Sequence, residues 1–178
     1  MTKNIRNMVF CALCIAIGLI LPMALHVIPN AGSIFLPMHI PVLLCGLLCG
    51  SYYGLLCGLL VPVLSSVLTG MPSAPILPGM ICELAMYGFM TGWMSKKVHL
   101  KNELTSTYVQ LIIAMISGRL FYGILNGLIF AAGKYSLQVF ISAAFVTALP
   151  GIVIQLVFLP SIVVLLRKVN NKYLEQKV

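Results

Sequence analysis

The chain has 178 residues, of which 61% are hydrophobic and 8% charged, with a mean hydropathy of +1.08. Soluble domains carry about 45–50% apolar and about 25% charged residues. This chain has too little polar surface for a water-exposed fold, so a soluble enzyme, a nucleic-acid binder and a disordered tail are excluded. The net charge of +8 speaks first to membrane orientation.

Spans follow in chain order. Lys3 and Arg6 precede an apolar run over 7–25, too long for the core of a signal peptide and without a clear cleavage site, so it reads as a retained first helix. Residues 26–38 hold Pro29, Asn30, Gly32, Ser33 and Pro37 and read as a loop. A short second helix is predicted over 39–50, a tight connection at 51–53 and a third helix over 54–69. Gly70, Pro72, Ser73 and Pro75 break that helix. A fourth is expected over 78–95, a polar loop over 96–105, a fifth helix over 106–132, a turn at 133–136 and a sixth helix over 137–166.

Six spans of about 20 residues need about 120 residues. That leaves one membrane domain over 1–178 with short loops. With the N-terminus inside, Lys3, Arg6, Lys96, Lys97, Lys101, Arg167, Lys168, Lys172 and Lys177 all fall on the cytoplasmic side. Only Lys134 falls outside and only Arg119 within the bilayer, as the positive-inside rule requires. The fold class is an all-α integral membrane protein of six transmembrane helices with both termini cytoplasmic.

The chemistry available is narrow. The acids are Glu83, Glu103 and Glu175, with no Asp, which removes aspartate-based intramembrane catalysis and paired-carboxylate chemistry. No P-loop is present for ATP hydrolysis and no His-Glu-x-x-His for a metal, so neither a cofactor nor a metal is expected. Cys11, Cys14, Cys45, Cys49, Cys57 and Cys82 all lie in apolar runs and read as helix-packing residues. Gly46, Gly50, Gly54 and Gly58 recur every four residues, and the turn between the second and third helices should divide them into two small-residue faces.

Ionisable groups inside a bilayer are costly, so each is a candidate site residue. Glu83 sits in the outer half of the fourth helix and Arg119 near the middle of the fifth. Their depths should differ by roughly 9 Å at ~1.5 Å per residue, a gap that a snorkelling arginine can narrow. They can pair structurally or line a cavity. Arg119, Tyr122 and Asn126 share one face of the fifth helix, Tyr87 lies one turn from Glu83, and His39 begins the second helix within reach of a pocket. Gln155, near the middle of the sixth helix, reads as an interhelical hydrogen bond. His26 fits an interfacial position, and Tyr52 and Tyr53 look like interface anchors.

Ala12 and Ala16 place two small residues one turn apart on the first helix. With the inside termini, the long first outer loop and Leu36-Pro37-Met38-His39-Ile40-Pro41 running into Gly-rich helices, the chain resembles the substrate-binding S components of energy-coupling factor (ECF) vitamin transporters over nearly its full length. The resemblance implies a multi-pass protein of a bacterial cell membrane that binds a vitamin in its outer half. It also implies that the Ala12–Ala16 face packs on a membrane T component driven by two cytoplasmic ATPases. A chain without a nucleotide motif fits that division of labour.

Two other readings compete: an intramembrane enzyme using Ser65 or Ser66 with a histidine, although no nucleophile motif surrounds either serine, and a self-contained channel or carrier. The transport-subunit reading, without catalysis, leads. Glu83 suits an amidine edge or a protonated ring nitrogen, as in hydroxymethylpyrimidine, thiamine or a B6 vitamer, and this nitrogen-heterocycle reading is preferred. Arg119 suits a carboxylate, as in pantothenate or nicotinate.

Overall fold

Glycine and proline set several of the helix boundaries. The computed structural model describes residues 3–25, 28, 30–130 and 136–175, and every regular element among them is helical. Lys134 and Lys177, assigned to opposite sides of the membrane from sequence, and His26, read as interfacial, lie outside the described residues.

Helix α1 (Lys3–Ala24) forms over the expected apolar run and begins four residues before it, taking in Lys3 and Arg6. The segment read as a loop over 26–38 instead contains a short helix, α2 (Ala31–Phe35). Leu36 ends it in the left-handed conformation (φ +52°), and its carbonyl accepts the His39 backbone N–H at 3.0 Å. That turn opens α3 (His39–Cys49). The expected connection at 51–53 shrinks to one residue: Gly50, at φ +92°, joins α3 directly to α4 (Ser51–Thr69). Only glycine adopts this conformation without a Cβ clash. Helix α5 (Leu77–Lys97) carries proline in its first turn, and α6 (Glu103–Leu125) is N-capped by Asn102, whose Oδ1 accepts the Leu104 N–H at 3.0 Å.

The last two spans differ from expectation. α6 stops at Leu125 and gives way to a π-helical turn over Asn126–Phe130. The predicted helix over 137–166 is divided into α7 (Leu137–Ile141), a second π-helical turn (Ser142–Thr147) and α8 (Leu149–Glu175). A hydrophobic pattern cannot separate π from α pitch over five or six residues, and π turns interrupt longer helices locally.

Helix α5 is central, packing on α3, α4 and α6. Its Gly88 and Gly92 meet the α3–α4 hairpin backbone to backbone: a Cβ on Gly54 would collide with the Gly88 carbonyl, one on Gly58 with that of Leu84, and one on Gly92 with Gly50 and Ser51. Gly46, on α3, also faces the Gly88 carbonyl, so the glycines on either side of the turn converge on α5 instead of forming separate faces. Such close approach is how helices associate where lipid removes the hydrophobic drive.

Among the described residues, five segments are long and apolar enough to cross a membrane: Asn4–Ala24, Ala31–Cys49, Ser51–Thr69, Glu103–Ile129 and Leu149–Arg167. Helix α5, at 21 residues, has similar length but carries Glu83, Lys96 and Lys97. Wrapped by its neighbours, it has less need of an apolar surface. Contacts gather alternate helix ends at one pole of the bundle. Tyr53 Oη donates to the Asn4 carbonyl at 3.3 Å, Asn7 Nδ2 to the Cys49 carbonyl at 3.5 Å and Arg167 Nη2 to the Leu47 carbonyl at 3.2 Å. Arg167 Nη1 also lies 3.6 Å from Glu103 Oε1. Tyr53 thus ties α4 to α1, while Tyr52 is exposed.

Candidate functional site

Helix ends decide where the polar side chains meet. Glu83 lies six residues after the start of α5 at Leu77, and Arg119 six residues before the end of α6 at Leu125. The two helices run in opposite directions, so the side chains sit at one depth. The expected offset of roughly 9 Å, at ~1.5 Å per residue, came from extending the fifth helix to 132. Arg119 Nη1 stands 3.1 Å from Glu83 Oε1.

His39 completes the group from α3, its Nε2 3.8 Å from the same carboxylate oxygen. Tyr87 stacks edge-on against His39 with ring centroids 5.2 Å apart, and Gly118 of α6 leaves room for the Tyr87 ring. All four side chains are buried: His39 is 2% exposed, Glu83 4%, Tyr87 1% and Arg119 7%. Both His39 ring nitrogens, Glu83 Oε1 and Arg119 Nε and Nη2 are buried without a hydrogen-bond partner. Buried polar atoms rarely stay unsatisfied, so a cluster with several has hydrogen-bonding capacity that the chain itself does not use.

The remaining predicted residues lie further along. Tyr122 and Asn126 are half-buried and face Gly79 of α5, and Asn126 Nδ2 donates to the Tyr122 carbonyl at 2.9 Å. Gln155 is buried and its Nε2 reaches the Leu36 carbonyl at 3.5 Å, the interhelical bond expected of it. It buttresses the left-handed turn that orients His39. Ser66 Oγ donates to the Pro72 carbonyl at 2.9 Å, and the Ser65 carbonyl accepts from Thr69 Oγ1 at 2.7 Å. Both serines serve the end of α4.

Three features escaped the sequence. An open depression of about 410 Å³ is lined by Gln138, Ser142, Ala143 and Thr147 at the π turn before α8. Gln110, buried on α6, donates to the Val98 carbonyl at 2.7 Å and to Ser106 Oγ at 3.1 Å, fastening the 98–102 loop. Arg167 bridges α8 to α3 and α6. The polar residues of the first two were visible as interruptions in apolar runs, but their partners depend on π turns and loop paths. Cys11, Cys14, Cys45 and Cys57 are core residues, and no group of three or more metal-ligating side chains occurs among the described residues.

Residues 6–163 match the family model for the substrate-specific component of ECF transporters. The chain belongs to this family. No curated protein and no solved structure matches it. As an S component it is a multi-pass membrane protein that supplies substrate recognition to a transporter, working with a T component and ATPases on a small molecule.

Proposed function

We propose that this S component captures a small water-soluble vitamin or vitamin precursor from outside a bacterial cell and holds it at His39, Glu83, Tyr87 and Arg119. Tyr122 and Asn126 continue the site along α6. The observation that carries this reading is the burial of three ionisable side chains from three helices with several polar atoms unpaired. A bundle kept together only by packing has no use for so costly a group.

In this reading α5 is the sixth span, and the pole gathering Asn4, Leu47, Glu103 and Arg167 is cytoplasmic, the side that the basic residues favour. The cluster then lies in the outer half. Ala12 and Ala16 are exposed on α1, free to meet a T component driven by two ATPases. The chain performs no catalysis of its own. For the solute, Glu83 supports the nitrogen-heterocycle reading and Arg119 the carboxylate alternative.

Native mass spectrometry of the purified protein, followed by binding measurements with B-vitamins and their precursors, tests the proposal. A retained vitamin-sized molecule, lost in Arg119→Gln, is the expected result. Retention unchanged in variants of all four residues would place the site elsewhere.

A further inference from the structure

Glu83 occupies only one side of Arg119. The ion pair runs through Nη1, while Nε and Nη2 are buried and unpaired. Those two nitrogens form the side edge of the guanidinium, where two N–H bonds point in parallel and match the two oxygens of a carboxylate. With Arg119 only 7% exposed, bulk water does not satisfy this edge, and a buried donor without a partner bears its full desolvation cost. Glu83 Oε1 also lacks a hydrogen bond but already faces a cation at 3.1 Å, whereas the Nε–Nη2 edge faces no counter-charge, so the free capacity of the cluster lies mainly with that edge.

We propose that the Nε–Nη2 edge of Arg119 receives, side-on, the carboxylate of a small carboxylic-acid solute, and that Glu83 is a positioning residue that holds the far side of the guanidinium. The inference rests on the cluster being the solute site. A cationic heterocycle on Glu83 would have to share the carboxylate with Arg119 and would leave the Nε–Nη2 edge unfilled. An acid leaves that pair intact and fills the empty edge. Glu83 and the incoming carboxylate would outnumber Arg119 by one negative charge. His39, with Nε2 3.8 Å from Glu83, is placed to hold a compensating proton, and Tyr87 is the other titratable group beside it.

The test uses the full-length protein in detergent, titrated with nicotinate, pantothenate and biotin, with their uncharged counterparts nicotinamide, panthenol and biotin amide, and with thiamine, hydroxymethylpyrimidine and pyridoxine. One acid should bind at least tenfold more tightly than its uncharged counterpart and than every heterocycle lacking a carboxylate. Arg119→Lys keeps the charge but loses the parallel pair, and should weaken that acid at least tenfold while the ligand-free melting temperature stays within a few degrees. Glu83→Gln should lower affinity yet preserve the preference for acid over uncharged counterpart. Equal binding of acid and counterpart, tighter binding of a heterocycle without a carboxylate, or no binding of any acid overturns the inference. Co-purification with the T component and ATPases is scored separately: an S component that assembles but selects a neutral or cationic solute refutes the carboxylate assignment alone, whereas failure to assemble counts against the transport role.

Discussion

Gly54 and Gly88 press their backbones together across α4 and α5, leaving no space for a side chain on either. Gly88→Ala should therefore destabilise the bundle by about 1–3 kcal/mol, the usual range for overpacking. Gly32, with open space around its Cα, is the control: Gly32→Ala should change stability by no more than about 0.5 kcal/mol. Thermal unfolding in detergent measures both. Equal melting temperatures for the two variants would contradict the close approach.

Glu83→Gln retains the side-chain shape but removes the charge facing Arg119. Breaking one member of a buried ion pair costs about 3–5 kcal/mol, so the ligand-free protein should melt at lower temperature. Solute affinity should fall by about ten- to a hundredfold, equivalent to about 1.4–2.8 kcal/mol. An unchanged melting point with lost affinity would make Glu83 a direct contact and nothing more.

Ala12→Trp and Ala16→Trp add bulk to an exposed strip of α1. Folding and solute binding should survive, whereas assembly with the T component and uptake should be lost, because the bulk blocks helix approach. Loss of solute binding in these variants would mean that the alanines support the fold or the site. Pull-down and uptake assays on the same membranes distinguish these outcomes.

Topology can be read with tags. A reporter inserted at 98–102 should appear in the cytoplasm and one near residue 30 outside. An outward-facing 98–102 loop would reverse the orientation and move the Glu83 cluster to the inner half.

The identity of the clustered polar residues is more legible in sequence than their depth. Glu83 and Arg119 stood out because charge within an apolar run is rare. Their distance was misjudged because the apolar pattern past Leu125 hides a change from α to π pitch. The hairpin at Gly50 was visible as a glycine series, yet not its one-residue length, which depends on a positive φ that hydropathy does not encode. Leu36 stood out in sequence only as the residue before Pro37, which marks a helix end but not a left-handed backbone. Its left-handed backbone is imposed by packing of α2 on α8, where Gly151 meets the Phe35 carbonyl.

The modest apolarity of α5 has a consequence for biosynthesis. A charged residue within a nascent membrane helix raises the cost of insertion, by up to about 2.5–3.5 kcal/mol at the centre of the span. Glu83 emerges from the ribosome before its counterion exists, and Arg119 of α6 brings the same difficulty to the next segment. Each charge is neutralised only when both helices stand side by side. The α5–α6 hairpin, joined through the short 98–102 connection, should enter the bilayer as one unit, and a chain halted between the two would be left with a segment that the membrane is reluctant to keep.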